Sequence, residues 1–299
     1  MIFMNRNEFL KLLALTPLAM VSMKLNEFGL LARDMSLTEK MPVLFLGHGS
    51  PMNAIDENEF VAGFRNIAHK IQKPKAILCV SAHWETNGTF VTAMDNPRTI
   101  HDFGGFPKEL YQVQYPAPGD PALAKETQSI ISKANVELDD KWGLDHGAWS
   151  VIKHLYPNAD VPVIQLSIDR TQNANYHYEL AKEIASLRDK GILIIGSGNM
   201  VHNLGLVAWN RMKDDDYAFD WAKEAGQKMK DFILDGDHMR LVNYQNEGKA
   251  FELAIPTPEH YLPLIYTLGL QGKNEQVELF NDKAVAGSLT MTSIKIDKA

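Results

Sequence analysis

The feature that most constrains this chain is a recurrence of short apolar runs that stop abruptly at glycine, serine or histidine. "PVLFLG" from Pro42, "AILCVSA" from Ala76, "TFVTAM" from Thr89, "VPVIQLSI" from Val161, "ILIIGSG" from Ile192 and "SLTMTSIKI" from Ser288 share this form. Runs of this length, rich in β-branched residues and bounded by turn residues, read as buried strands. Between them lie segments with helical periodicity: Glu57 to Ile71, Pro121 to Ala134, the stretch after Asp145, Tyr176 to Arg188, and Tyr217 to Leu234. Strands alternating with helices predict an α/β fold: a single domain with a central mixed, partly parallel sheet flanked by helices on both faces. A chain of 299 residues can bury a core of that size. Asp95 to Pro121, dense in proline and glycine, interrupts the pattern and reads as a lid-like insertion.

In open α/β sheets ligands bind beyond the carboxyl ends of the strands. Three of the runs deliver a histidine there: His48 in "LGHGS", His83 in "SAHW" and His202 in "NMVHN". The glycines on either side of His48 suit a sharp turn or a close backbone approach. A fourth histidine stands in "PTPEHYLPLIY". There Thr257 suits a helix N-cap and Pro258 the first helical position, which places Glu259 and His260 in the first turn. His101 in "TIHDFGGFP" and His146 in "GLDHGAW" form a second row in polar, glycine-rich turns, whereas His69, His154, His177 and His238 read as surface residues.

The composition narrows the chemistry. One cysteine, Cys79, excludes a thiolate-rich site, so a metal must be held by His, Asp and Glu. Such donors suit Zn(II) or Fe(II). Two histidines and a carboxylate leave positions open for a substrate and dioxygen on iron; three histidines with one open position suit zinc and an activated water. The net charge of -7, without a basic block, excludes nucleic acid and an anionic membrane surface as partners. Gly196-x-Gly198 resembles the start of a dinucleotide fingerprint, but Val201 stands at the third glycine position. Those glycines more simply let His202 approach a ligand.

Residues 1–40 read as an N-terminal extension and 41–299 as the catalytic domain. "MNRNEFLKLLALTPLAMVSM" has a basic start and an apolar stretch too short and interrupted for a stable membrane span. It resembles a twin-arginine export signal with Asn7 in place of the second arginine. The expected location is periplasmic if that signal functions, and cytoplasmic if the segment is an amphipathic helix.

Taken in order, "LFLGHGSPMN", "VSAHWETNG", "TIHDFGGFP", "YPAPGDP", "WGLDHGAW", "VPVIQLSID", "GSGNMVHNL" and "PTPEHYLPLIY" closely resemble the LigB-type class III extradiol ring-cleavage dioxygenases, in their 4,5-DOPA dioxygenase branch. The resemblance runs from about Met41 to the C-terminus. It implies a non-haem metal enzyme that uses O2 to open a catechol such as DOPA beside its two hydroxyls. It also implies that His48, His83, His202 and His260 serve the metal site, with Glu259 in contention with His260. His202 matches the family's general base, and His146 is expected to donate a hydrogen bond to oxygen or substrate. His101 and the Gly104-Gly105 loop would shape the mouth. The branch is associated with zinc as well as iron; zinc has no redox chemistry, so iron is the expected working metal. Two other functions fit the same histidines: a zinc-dependent hydrolase, or a non-enzymatic Memo-like protein.

Overall fold

The computed structural model describes residues 39–298; the export-signal reading of the N-terminus falls on residues that lie outside this range. Four runs become parallel strands: β1 (Val43–Gly47), β2 (Ala76–Ser81), β6 (Val163–Gln165) and β8 (Ile192–Gly198). They join two antiparallel strands, β9 (Glu275–Phe280) and β12 (Ser293–Lys298), in a six-stranded sheet of order β6-β2-β8-β1-β12-β9. Three two-stranded pairs lie outside this sheet: β3 (Glu85–Thr86) with β7 (Ile168–Asp169), β4 (Thr89–Thr92) with β5 (Val136–Asp139), and β10 (Ala284–Val285) with β11 (Leu289–Thr290). The run from Thr89 is therefore a strand, but not one of the main sheet.

The described helices are α1 (Glu59–His69), α2 (Lys108–Tyr111), α3 (Pro121–Ile130), α4 (His146–Leu155), α5 (Ala174–Ile184), α6 (Asp220–Leu234), α7 (His238–Val242), α8 (Lys249–Ala254) and α9 (Leu262–Gly269). Alternation along the strands sends side chains to two cores. Val43 and Phe45, Leu78 and Val80, and Ile192 and Ile194 pack with α3, α5, α6 and α9. Leu44 and Leu46, Ile77 and Cys79, and Leu193 and Ile195 pack with α1 and α4. A mixed sheet covered by helices on both faces is the expected architecture. Among the described residues no helix is long and apolar enough to cross a membrane.

Register places the strand ends level: Gly47 lies beside Gly198 and Ser81 beside Ser197. The residues that follow β1, β2 and β8 therefore emerge at one edge.

Three local expectations are corrected. Thr257 is not an N-cap: its hydroxyl donates to Glu259 Oε1, and the regular helix starts at Leu262. The His260 carbonyl accepts from the Asn199 amide rather than entering the helix ladder. Pro263, which has no N–H to leave unsatisfied, then occupies the first turn. His154 and His177 are buried, not surface residues. Their helical positions fall on core faces; Ala174, His177, Leu180, Ala181 and Ile184 form one stripe of α5. His154 Nε2 is bonded to the Asn53 carbonyl and His177 Nδ1 to the Tyr266 hydroxyl. Strand β9 escaped notice because its half-exposed, polar-alternating "EQVELF" is an edge strand, not an apolar run.

Candidate metal centre

The strand ends deliver the expected histidines to one place. After β1 the chain turns at Gly49 (φ +62°), a left-handed conformation that favours glycine, and the turn points His48 over the sheet edge. At the end of β8, Gly198 packs against the turn before α9; a Cβ there would lie 2.1 Å from the His260 carbonyl oxygen. Only glycine permits this approach, which carries His260 to the edge where His48 emerges.

The rings of His48, His83 and His260 form a nearly equilateral triangle. Their centroids are 5.0 Å (His48–His83), 5.2 Å (His48–His260) and 5.1 Å (His83–His260) apart. Each turns Nδ1 outward to a partner. His48 Nδ1 lies 3.0 Å from Ser197 Oγ, whose own proton goes to the Gly147 carbonyl at 2.5 Å, so His48 is the donor. His260 Nδ1 donates to Glu259 Oε1 at 3.0 Å, and His83 Nδ1 faces Asp102 Oδ2 at 3.4 Å. The Nε2 lone pairs are left for the interior, where those of His48 and His83 face one another at 3.2 Å. At that separation either one ring donates to the other or both turn lone pairs to a shared cation. Two imidazoles bound at zinc-like distances with a tetrahedral angle place their nitrogens about 3.3 Å apart. The donor set therefore fits a divalent ion, with the outer hydrogen bonds that orient ligating histidines.

Glu259 sits behind His260. Burial works against its charge, but hydrogen bonds from His260, its own backbone N–H and Thr257 hold its carboxyl down at about 2. His202 stacks on His260 with centroids 3.6 Å apart and planes 8° from parallel. Burial first, and then the neighbouring His260, lower the His202 pKa to about 3, which leaves the ring neutral at physiological pH. Burial and neighbouring imidazoles likewise push His48 and His83 well below the ordinary histidine value.

His146, at the start of α4, lies with its ring centroid 3.8 Å from that of His83. Its Nδ1 is 2.9 Å from Asp102 Oδ2 and its backbone N–H is 2.8 Å from Asp102 Oδ1. Burial of Asp102 opposes ionisation, but these bonds hold its carboxyl below the usual range. Phe103, the next residue, meets His146 edge-on at 5.5 Å and packs with Phe106, Tyr111 and Trp149. His101 joins this aromatic group through Trp149 and bonds the Val113 carbonyl.

The potential ligand atoms fall into two groups, each within 4.8 Å: His48, His83 and His146, and His202, Glu259 and His260. The ring triangle links them through His260.

Residues 42–294 match the family described as the catalytic LigB subunit of aromatic ring-opening dioxygenase. The chain belongs to this family. It is 44% identical over 272 residues to a 4,5-DOPA dioxygenase extradiol of Escherichia coli K12, spanning 89% of this chain and 98% of that protein. It is 37% identical over 258 residues to a protein of the same name from Beta vulgaris, spanning 84% and 94%. The crystal structure of an uncharacterized Escherichia coli K12 protein superposes with a TM-score of 0.74 at 40% identity, covering 86% of this chain and all of that one.

Within the LigB fold, sequence reasoning brought the histidines forward but missed Asp102 and Ser197. Asp102 carried a signal, since it adjoins His101 in "HDFGG". Ser197 carried none, being one serine inside an apolar strand.

Proposed function

We propose that the protein is a metal-dependent extradiol dioxygenase that opens a catechol such as DOPA with O2, breaking the ring bond beside the two hydroxyls. The observation that carries this reading is the His48–His83–His260 triangle, with the Nδ1 atoms of His48 and His260 held from outside, in a chain of the LigB family.

In this reading His48, His83 and His260 hold the metal, and Glu259 orients His260 instead of ligating. A redox-active ion such as Fe(II), when bound, supplies a centre at which an electron-rich catecholate and O2 react. Zinc cannot supply that, having no redox chemistry. The chain's own groups handle the protons. Neutral His202, stacked on His260, takes the proton of one catechol hydroxyl. The negative charge of the bound substrate raises the His202 pKa from its low resting value and favours this transfer. His146, with Nδ1–H committed to Asp102, offers Nε2 to the substrate as an acceptor while neutral and donates only once protonated. Phe103 and its aromatic neighbours exclude water from one side.

The test is a catechol panel in air with the stripped protein reloaded by Fe(II) or Zn(II). A yellow ring-opened product with iron alone is expected; cleavage supported by zinc alone would refute the assignment of the metal. His202→Ala is expected to lower kcat by about 10²- to 10⁴-fold while metal remains bound, as for loss of a general base. Undiminished turnover removes His202 from that role.

A further inference from the structure

Asp102 lies in the Asp95–Pro121 insertion, 44 residues before the helix it touches. Its Oδ1 accepts from the backbone N–H of His146 at 2.8 Å and its Oδ2 from His146 Nδ1 at 2.9 Å. The same Oδ2 lies 3.4 Å from His83 Nδ1. One oxygen thus bonds His146 and lies close to His83, whose ring is 3.8 Å from that of His146. An ionised carboxylate accepts hydrogen bonds and cannot donate. It therefore satisfies His146 only in the tautomer that carries its proton on Nδ1.

We propose that Asp102 is a positioning residue for ring opening. It fixes His146 with Nε2 bare and turned to the centre, beside His83. The insertion thereby delivers a structural element to the site, not merely a cover. The consequence for turnover rests on the ring-opening reading; the claim about tautomer and orientation does not.

A simple anchoring role is the competing explanation, because Asp102 also holds the first amide of α4. That helix already has a cap, since the Asp145 side chain accepts from Ala148 N. The two explanations diverge for Asp102→Asn. The asparagine carbonyl can still accept from the His146 backbone, which preserves the anchor. Its NH2 group then faces His146 Nδ1 as a donor, which drives the ring proton to Nε2. A bare acceptor becomes a donor with little change in shape.

The experiment uses the full chain with 15N-labelled histidine. Loaded with zinc, which is diamagnetic, the protein reports the His146 tautomer by NMR; loaded with iron, it reports kcat and KM on a catechol; chelator competition reports metal affinity. The wild type is expected to show the proton on Nδ1 of His146 and Asp102→Asn to show it on Nε2. The variant is expected to lose about 10- to 100-fold in kcat, a usual effect of removing such an outer partner. KM is expected to stay within about threefold and the denaturation midpoint to be unchanged. A proton on Nε2 in the wild type, or wild-type kcat in Asp102→Asn, overturns the proposal. Should no catechol be cleaved, the tautomer measurement still decides the structural claim and the failure belongs to the ring-opening reading alone.

Discussion

Replacing Ser197 by alanine tests how far a partner outside the triangle governs the site. Ser197 is fully buried and bridges two groups, accepting from His48 Nδ1 at 3.0 Å and donating to the Gly147 carbonyl at 2.5 Å. Alanine leaves both without that partner. The Gly147 carbonyl keeps its partner in the α4 ladder, so the His48 N–H is the group left unsatisfied, at a cost of about 1–3 kcal/mol. That is a large part of a typical folding free energy of roughly 5–15 kcal/mol. The His48 ring also loses the bond that fixes its rotation and tautomer, so metal affinity is expected to fall about tenfold or more. Urea unfolding of the metal-free protein reads the first effect and chelator competition the second. A stability within about 0.5 kcal/mol of wild type, together with unchanged metal affinity, would show that Ser197 does not orient the ring.

Glu259→Gln keeps the size of the side chain but weakens the charge-assisted bond to His260. Chelator competition is expected to show about tenfold weaker metal binding, whereas complete loss of metal would make Glu259 itself a ligand. Phe103→Ala removes the ring that meets His146 edge-on; KM for a catechol is expected to rise about 5- to 30-fold, the equivalent of about 1–2 kcal/mol of aromatic contact, with kcat little altered. His177 makes a separate acid-stability prediction. Burial, partly offset by Asp169, lowers its folded pKa to about 4 against an ordinary value of 6.5. A depressed histidine is neutral in the fold and protonates first in the unfolded chain, so its contribution is complete above pH 6.5 and lost as the pH falls towards 4. The shift corresponds to about 3 kcal/mol. His177→Leu is therefore expected to flatten urea-midpoint stability over that range, and equal slopes in both proteins would contradict it.

The sheet was legible because buried strands announce themselves as apolar runs, and the strand ends carried His48, His83 and His202 openly. The same rule overlooked β9, whose exposed edge needs no apolar run. It could not tell that "TFVTAM" pairs with β5 outside the main sheet, because pairing depends on distant residues. The α9 start was displaced because Thr257 and Pro258 look like a helix entrance. What decides the start is the His260 carbonyl, diverted to an amide 61 residues earlier at Asn199. His48 and His83 stood at legible strand ends, but the partners that hold the site histidines did not: Ser197 meets His48 across 149 residues and Asp102 meets His146 across 44. Hydrogen bonds of that span leave no periodic trace. The bond from His260 Nδ1 to Glu259 likewise depends on side-chain direction, which the adjacent pair "EH" does not encode.

The most direct measurement is X-ray absorption of the full chain loaded with one equivalent of zinc or iron, paired with metal stoichiometry for His48→Ala, His83→Ala, His260→Ala and His202→Ala. One ion per chain with three imidazole nitrogens is expected, lost in the first three variants and kept in the fourth. A first shell containing the Glu259 carboxylate, or loss of the ion on removing His202, would contradict the three-histidine centre.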